Sequence, residues 1–253
     1  MADARILVLT TVHRADDTRI REKLIPAIEP LGAVTYATRA PAPTSLAGID
    51  RWVELRGGRL QRNLIAARLL MGRDYDVAIT HDPELLPASI ISGLLGRRVV
   101  VDVHENVPGQ LLTKEWLPTM VRRPLAWITR GLLRVAERAC RVTLAEPGYR
   151  TLFTDPHPVF ANYPDDLPSP RSSDGTVVYV GDVTAARGVP FLAEVMASAA
   201  ADTQLRIIGP CTEDMAEELG NSGARVVVSG PLPHPAAMEA MATAAVGVAP
   251  LFD

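Results

Sequence analysis

Short apolar runs alternate with segments of helical periodicity along most of the chain. In the clearest case, residues 76–80 form an apolar run that ends at a polar His-Asp-Pro cluster. Residues 84–95 then have the length and spacing of a buried helix, which a glycine ends. Residues 98–103 are apolar and β-branched without alternation, as is typical of a parallel strand covered on both faces. The pattern therefore predicts a strand, a helix and a second, parallel strand.

The same alternation continues on both sides of this segment. Before it, we expect strands over residues 5–10, 33–37 and 52–55, and helices from about Thr18 and over 60–71. After it, we expect an irregular segment over 106–118, a long helix over 123–138, strands over 141–145 and 159–161, and a short helix opened by Glu146 and Pro147. Further along, strands over 176–180, 205–208, 225–229 and 246–250 alternate with helices over 189–199, 213–219 and 235–244. This alternation predicts an α/β fold with parallel sheets.

Residues 162–170 interrupt the alternation. Proline and serine dominate there and no periodicity survives, so the segment is typical of a linker. We place the domain boundary in it, with an N-terminal domain over residues 1–165 and a C-terminal domain over 166–253. The last expected strand has no helix after it to cover it, so we expect the second domain to be incomplete in this chain.

Composition and charge change this picture mainly by exclusion. Hydrophobic residues make up 47% of the 253 residues and charged residues 22%, as in an ordinary globular protein with a packed core. The net charge is -3, so no overall basic field draws the protein to nucleic acid. Cys140 and Cys211 lie far apart in sequence, which gives neither a disulfide framework nor a metal-binding spacing and suits a reducing compartment.

The sequence also predicts where the protein resides. The first residues do not form a signal peptide, and the longest uncharged apolar stretch, residues 85–96, is well short of the roughly 20 residues that span a bilayer. We therefore expect a cytoplasmic protein. Arg130, Arg134 and Arg138 form one helical stripe, which we interpret as a solvated face. The alternative is a peripheral contact of this stripe with anionic lipid at the inner face of a membrane.

Two polar clusters follow the two strands of the opening segment. Because ligands of open α/β sheets bind outside the carboxyl ends of the strands, we expect His81 and Asp82 to face the same crevice as His104 and Glu105. Asp102 or Glu105 could orient the His104 imidazole or raise its pKa. We interpret His104 and Glu105 as the catalytic candidates. Asp82 has an equally strong alternative as the N-cap of the helix that follows it.

A third cluster lies in the loop after the first strand, which carries His13, Arg14 and Asp17. It either contacts a ligand at the end of that strand or is a solvated loop in which Asp17 caps the next helix. His81 and His104 could in principle share a metal, but the sequence has no His-x-x-x-His pair. We therefore expect neither a metal nor a cofactor.

A fourth candidate is the loop over residues 181–188, which joins a strand to a helix. Free backbone N–H groups and the helix dipole favour a phosphate at such a helix N-terminus. Arg187 could add a bidentate, charge-assisted hydrogen bond to a phosphate oxygen. The alternative is a tight turn with two glycines and a surface arginine, because the loop matches neither Gly-x-Gly-x-x-Gly nor a P-loop.

In order and spacing, these pieces resemble the N-terminal two-thirds of retaining glycosyltransferases with the GT-B fold, in the large family 4 group. The matching motifs are Leu7-Val8-Leu9 with the loop through Asp16-Asp17-Thr18-Arg19-Ile20, Thr80-His81-Asp82-Pro83-Glu84-Leu85-Leu86-Pro87, Val101-Asp102-Val103-His104-Glu105, Asn162-Tyr163-Pro164-Asp165, Val178-Tyr179-Val180-Gly181 through Arg187-Gly188, and Ile207-Ile208-Gly209-Pro210. Each motif is modest alone. Together they point to the superfamily and not to a substrate.

The resemblance implies two Rossmann-like domains that face a cleft, with the acceptor on the N-terminal domain and a nucleotide-sugar donor on the C-terminal one. It implies that His104 contacts the transferred sugar and that Arg187 binds the donor diphosphate in place of a metal ion. Retention could proceed by front-side attack, with the leaving phosphate taking the acceptor proton. The acceptor would be a sugar, a lipid-linked molecule or a natural product. The implied donor-side residues are Gly181, Arg187, Gly188 and Gly209, and the acceptor-side residues are His13, Arg14, Asp17, His81 and Asp82.

Two departures from the family pattern bear on activity. Asp182 stands where the family often has arginine, and its carboxylate would repel a diphosphate. The acidic Glu-x7-Glu motif that grips the donor would lie beyond residue 253, so we expect the 253-residue chain alone to have no transferase activity. A nucleotide-sugar epimerase or hydrolase on the same fold and a non-catalytic nucleotide- or sugar-binding subunit remain alternative functions.

Overall fold

The computed structural model describes residues 4–114, 117–161, 163, 173–199 and 203–250. The chain forms two compact units, Met1–Tyr163 and Pro164–Asp253. The expected linker over residues 162–170 lies outside the described residues, apart from Tyr163.

The first unit is built on one parallel sheet. Its strands are β1 (Ala4–Leu9), β2 (Gly32–Thr38), β3 (Arg51–Glu54), β4 (Val77–Thr80), β5 (Arg98–Val103) and β6 (Arg141–Leu144). They are arranged in the order β3-β2-β1-β4-β5-β6, and β1 pairs with β4 so that Ile6 lies opposite Val77. The chain order therefore reverses between β1 and β4. This is the doubly wound arrangement, in which ligands bind at the reversal point.

Helices cover the sheet of the first unit. They are α1 (Ile25–Ile28), α2 (Arg59–Met71), α3 (Leu86–Leu94), α4 (Val107–Thr113) and α5 (Thr119–Ala139). On one face of the sheet Val8 packs with Ile20 and Ile25, and on the other Leu9 packs with Leu70; all five are buried. Burial of strand residues on both faces explains why the strands are continuous apolar runs in the sequence.

The segment between β1 and β2 is helical but not one regular helix. It begins with a π-type helix at Arg19–Leu24, continues as α1 and ends in a 3-10 turn at Glu29–Leu31. Pro26 and Pro30 lack the N–H that would continue an α-helical hydrogen-bond ladder. The apolar spacing thus predicts the buried face of this segment, and the prolines limit its regularity.

Two of the sequence-based expectations for this unit are wrong. Residues 106–118 are not irregular throughout, because α4 forms after Asn106, whose side-chain oxygen accepts the N–H of Gly109 at 3.0 Å. Seven residues are too few to show a helical period, and only the cap marks this helix. Residues 159–161 form no strand; Val159 makes a single bridge to Leu144. Pro158 just before it has no N–H with which to extend a ladder.

The second unit repeats the architecture with a smaller parallel sheet. Its elements are β7 (Val177–Val180), α6 (Val189–Ala197), β8 (Leu205–Ile208), α7 (Glu213–Gly220), β9 (Val226–Val228), α8 (His234–Thr243) and β10 (Val246–Gly247). The strand order is β10-β7-β8-β9. Leu205, Ile207, Val189 and Ala193 form the centre of its core. The α/β prediction is confirmed, and both units are Rossmann-like.

A membrane-spanning helix is not among the elements described. No helix in the described part of the chain combines the length and the hydropathy that crossing a bilayer requires.

Candidate functional site

Three histidines meet at the carboxyl ends of neighbouring strands in the first unit. His13 lies in the loop after β1, His81 follows β4, and His104 follows β5. The ring centroids of His13 and His104 are 4.8 Å apart, and those of His81 and His104 are 6.0 Å apart. The expectation that the His81 and His104 clusters approach each other at one edge of the sheet is therefore met, and the reversal between β1 and β4 adds His13.

Asp82 organises the loop that carries His13. Its Oδ2 accepts the hydroxyl of Thr10 at 2.9 Å, the backbone N–H and hydroxyl of Thr11, and the N–H of Val12 at 3.3 Å. The side chain is 2% exposed, and its Oδ1 lies 3.5 Å from His13 Nε2. The alternative interpretation of Asp82 as a helix cap is wrong, since its side chain makes no cap hydrogen bond. The carboxylate turns instead toward N–H donors that the end of β1 leaves unpaired.

Asp17, His13 and His104 form a hydrogen-bonded chain. Asp17 Oδ2 lies 3.1 Å from His13 Nδ1, and His13 Nε2 lies 2.9 Å from His104 Nε2. The other Asp17 oxygen accepts the N–H groups of Arg19 and Ile20 at 3.1 and 3.3 Å, so Asp17 also caps the helical segment as expected. One carboxylate thus fixes both the helix start and the orientation of His13.

The partners of the two rings determine where their protons lie. His104 Nδ1 is 3.2 Å from the backbone oxygen of Asp102, which can only accept. A neutral His104 therefore carries its proton on Nδ1 and accepts at Nε2, so His13 Nε2 must donate. The other His13 nitrogen faces the Asp17 carboxylate, which also only accepts. From these contacts we infer that His13 is an imidazolium with a proton on each nitrogen.

The pKa values of the two histidines shift in opposite directions. Burial lowers the pKa of His13, but the hydrogen bond to Asp17 and the charge of Asp82 outweigh it, and the net shift is upward. Burial lowers the pKa of His104, and the nearby His81 and His13 lower it further. Asp102 orients the His104 ring through its backbone oxygen, and this contact and the Asp102 charge raise the pKa, as the sequence analysis allowed. Burial and the two neighbouring imidazoles outweigh them, so the net shift is downward.

Asp102 accepts hydrogen bonds from side chains on both of its oxygens. Arg19 grips it with two nitrogens at 3.0 and 2.9 Å, and the Thr143 hydroxyl donates to it at 2.8 Å. The enclosed His81 places Nδ1 3.2 Å from its Oδ2. Burial alone would raise the pKa of Asp102, but His81 and Arg19 hold it far below its ordinary value. Asp102 therefore stays ionised and holds together residues from β5, β6 and the loop before α1.

Arg19 is the site residue that the sequence analysis leaves out. It also donates to the backbone oxygen of Phe160 at 3.2 Å. The signal is present in the Asp16-to-Ile20 motif, where an arginine lies two residues after the helix-capping Asp17. Its partner lies 83 residues away, and nothing in the local pattern points to it.

The same cluster contains the ligand set for a metal. Among the described residues, His81, Asp102 and His104 place one ligand atom each within 4.8 Å of one another. Both Asp102 oxygens are already hydrogen-bonded, and the Arg19 guanidinium 2.9 Å away carries a positive charge that opposes a second cation. This arrangement favours the metal-free interpretation.

Two other sequence candidates lie at the margin of the cluster. Glu105 is exposed next to His104, and it acts on His13 only as a nearby charge. Arg14 is exposed, and its backbone oxygen closes a turn by accepting the N–H of Asp17 at 3.1 Å. A crevice of ≈ 250 Å³ opens beside the histidines and is lined by His13, Asp17, Thr18, Arg19, Ile20, His81, His104, Ala145 and Glu146. Neither Glu105 nor Arg14 lines it.

The donor-side candidates of the second unit gather at the carboxyl ends of β7 and β8. Gly181 follows β7 and donates its N–H to the Ile208 oxygen at 2.9 Å, and Gly209 follows β8. A Cβ on Gly209 would lie 1.8 Å from the Gly181 oxygen, and its φ of 153° is one that other residues rarely adopt. Glycine is therefore required here for two strand ends to approach closely.

The turn after Gly181 leads into α6. Ala185–Arg187 form a 3-10 turn, and Gly188 adopts a left-handed conformation, φ 69° and ψ 17°, as the N-cap of α6. Arg187 is exposed at this helix start, which fits both the phosphate-binding prediction and the alternative of a surface arginine. The Tyr179 hydroxyl donates to the backbone oxygen of Asp182 at 2.9 Å and fixes the first part of the turn.

Comparisons with known proteins give a fold but no family. No protein-family model matches the chain, and no curated protein matches it. Many solved structures do. Sucrose-phosphate synthase from Thermosynechococcus elongatus is 16% identical with a TM-score of 0.65, and the alignment covers 97% of this chain and 75% of that one.

Two further solved structures extend this likeness. HepE from Anabaena, in complex with UDP and glucose, is 14% identical with a TM-score of 0.67 and coverages of 97% and 74%. AviGT4, a glycosyltransferase involved in avilamycin A biosynthesis, is 15% identical with a TM-score of 0.56 and coverages of 97% and 70%. With its two Rossmann-like parallel sheets, this chain has the GT-B fold of glycosyltransferases.

Proposed function

We propose that the protein is a glycosyltransferase that moves a sugar from a nucleotide-sugar donor to an acceptor, without a metal ion and with retention of configuration. The observation that carries the proposal is that a GT-B fold places polar side chains at the carboxyl ends of the strands in each of its sheets. Such edges are where open α/β sheets bind ligands.

The donor side of the proposal lies in the second unit. Arg187 places a fixed positive charge beside the start of α6, where the helix dipole also favours an anion. In a sugar transfer the leaving group is a nucleoside diphosphate, and charge develops on it in the transition state. A guanidinium and the positive end of a helix at that place stabilise the transition state without a metal ion. Gly181 and Gly209 keep the space above the strand ends open for the nucleotide.

The sugar-transfer side lies in the first unit. We assign His104 to contact with the transferred sugar, and Glu105 to the rim of the same site. His13, held by Asp17 and Asp82, supplies a positive charge next to His104. Two carboxylates line the crevice, Asp17 and Glu146. Both oxygens of Asp17 are already hydrogen-bonded, which is compatible with front-side attack and retention. Arg14 contributes at most to the outer acceptor side.

The acceptor class stays broad in this proposal. Solved structures with this fold include a lipopolysaccharide outer core galactosyltransferase, WaaB, with a TM-score of 0.53, as well as AviGT4. HepE has been seen with UDP-glucose. We therefore propose a UDP-sugar as the first donor to test, and a sugar, a lipid-linked sugar or a natural product as acceptor.

Isothermal titration of the 253-residue chain with UDP, GDP and TDP tests the donor side. We expect one nucleotide to bind, and Arg187→Ala to weaken it by roughly 1.5–3 kcal/mol through loss of a charged hydrogen bond. Arg225→Ala is the matched control, since Arg225 is an exposed arginine of the same unit that precedes β9 at the opposite end of its strand. An affinity that Arg187→Ala leaves unchanged would remove Arg187 from the site.

Product analysis then separates transfer from its alternatives. A transferase consumes the nucleotide-sugar only when an acceptor is present, whereas a hydrolase or epimerase needs none. NMR of the sugar products with and without a panel of acceptors distinguishes these outcomes, and the anomeric coupling of the product tests retention. Nucleotide binding without turnover in any chain that contains these two units would favour a binding subunit.

A further inference from the structure

The outer face of α5 exposes large apolar side chains. In its first half Met120 is 88% exposed, Trp127 81% and Ile128 58%, and Val121 and Leu125 are also exposed. The helix buries its other face through Ala126, Leu133 and Ala136. Met120 and Trp127 lie seven residues apart, two helical turns, so they form one row on the surface. A surface patch of this kind marks a place of contact.

Arginines border the apolar row on one side. Arg123 and Arg130 follow Met120 and Trp127 by three residues each, which makes them neighbours on the helix surface. Over residues 107–139 the chain has six basic and two acidic residues, although its overall net charge is -3. One of those acidic residues, Glu137, is occupied with the backbone N–H groups of Thr154 and Asp155. The patch is therefore positive as well as apolar.

The exposed apolar surface of α5 differs from the arginine stripe that the sequence analysis offered as an alternative lipid contact. Arg130 donates to the Thr151 oxygen at 2.9 Å, and Arg134 bonds the Thr154 hydroxyl, so both are tied to the turn after β6. These arginines form an edge of the patch, and its centre is Trp127. Beside Trp127, a groove of ≈ 590 Å³ runs between α4 and α5 to Asn106, two residues after His104.

We propose that the first half of α5, centred on Met120 and Trp127, binds the surface of an anionic phospholipid membrane. A tryptophan and aliphatic side chains would enter the boundary between headgroups and acyl chains, and the bordering arginines would bind lipid phosphates. The combination of exposed apolar groups with bordering cations selects this partner, because a purely apolar partner leaves the arginines unmatched. The inference goes beyond the proposed transferase and does not depend on its activity.

Vesicle co-sedimentation of the 253-residue chain tests this inference. We expect binding to phosphatidylcholine vesicles that contain phosphatidylglycerol and much weaker binding to phosphatidylcholine alone. The double variant M120S/W127S should bind at least about tenfold more weakly, because it removes the two most exposed apolar side chains of the helix. Arg123→Gln should weaken binding to the anionic vesicles about fivefold, the change that ~1 kcal/mol corresponds to, and added salt should do the same.

Matched variants elsewhere on the first unit serve as controls. Leu60 on α2 and Leu94 on α3 are 74% and 71% exposed, so L60S/L94S removes comparable apolar groups from other surfaces. It should bind vesicles like the native chain, and circular dichroism should show that both double variants are folded. Quenching of tryptophan fluorescence by brominated lipid should fall in Trp127→Phe.

Three results would overturn the inference. One is a native chain that binds neither kind of vesicle, and another is equal loss of binding in the two double variants. The third is self-association: if sedimentation velocity shows that the native chain forms dimers, that M120S/W127S is monomeric and that vesicles bind neither, the patch is an interface between copies of this chain.

Discussion

The carboxyl edges of the two sheets consist of different types of residue. In the first unit, three histidines, three aspartates and an arginine form one bonded cluster, in which His81, Asp82 and Asp102 are buried and the other four are half-buried. In the second unit, the corresponding edge consists of glycines whose backbones touch, with Arg187 exposed beside them. Both edges follow parallel strands of similar sequence, so strand pattern alone does not decide what an edge holds.

The difference shows what holds the groups of each edge in position. Charges that satisfy one another in a buried network are fixed before a ligand arrives, and removing one leaves its partners unpaired. A glycine turn is fixed by its own backbone geometry and hydrogen bonds, and it leaves an exposed side chain such as Arg187 to meet whatever binds. We therefore expect substitutions in the first edge to change stability and proton binding. In the second edge, exposed side chains should matter for binding and glycines for stability.

The largest expected effect is the loss of Asp102. Asp102→Ala leaves Arg19 and His81 without their buried partner, and we expect it to lower the free energy of unfolding by about 3–5 kcal/mol. Urea denaturation followed by circular dichroism measures this. Asp76→Ala is the control, because Asp76 pairs with Arg5 in the same two-nitrogen manner, at 2.8 Å, on the surface. There the cost should be much smaller, because solvent screens an exposed ion pair. Equal costs would mean that burial gives the first edge no special role.

The next effect concerns the glycine edge. Gly209→Ala requires a strained φ and puts a methyl group into the Gly181 oxygen, so we expect a loss of about 3 kcal/mol in the stability of the second unit. Gly175→Ala has a comparable positive φ, 78°, but no atom within 4 Å of the new Cβ. It should cost about 1 kcal/mol, which isolates the steric part. If both variants unfold at the same urea concentration, the strand ends are not in rigid contact.

The sequence predicts the strands and the edges well because each depends on local information. A run such as residues 98–103 is apolar because it is covered on both faces, and the polar residue after it marks the edge. The sequence pattern does not predict the short helix α4, because its seven residues make less than two full helical turns and show no period. The irregular helical segment before β2 depends on prolines that fall within an otherwise apolar period.

The contacts inside the first edge could not be predicted in the same way. His13 meets His104 across 91 residues, and Arg19 meets Asp102 across 83. Those pairings depend on the reversal of strand order between β1 and β4, which brings the two loops together. The direction of the His104 pKa shift depends in turn on which neighbours face its ring. A prediction from Asp102 and Glu105 alone therefore misses the net direction of the shift.

The smallest expected effect is the pH dependence of stability that comes from the shifted pKa values of His13 and His104. Because the pKa of His13 is raised in the folded chain, its contribution to stability is complete below about pH 6.5 and is lost as pH rises through the raised pKa. For His104 the sign is opposite: its pKa is lowered, so the unfolded chain binds the proton more tightly and stability falls as pH drops below about 6.5. The two histidines therefore oppose each other across neutral pH.

NMR titration of the histidine ring protons resolves this pair. Asp17→Asn replaces the charged acceptor of His13 with a neutral amide, so the His13 resonance should titrate at lower pH than in the native chain. His13→Ala removes one of the charges that lower the pKa of His104, so the His104 resonance should titrate at higher pH. If His104 titrates identically with and without His13, the proton assignment along Asp17, His13 and His104 is wrong, and the first edge is a set of independent contacts rather than a coupled network.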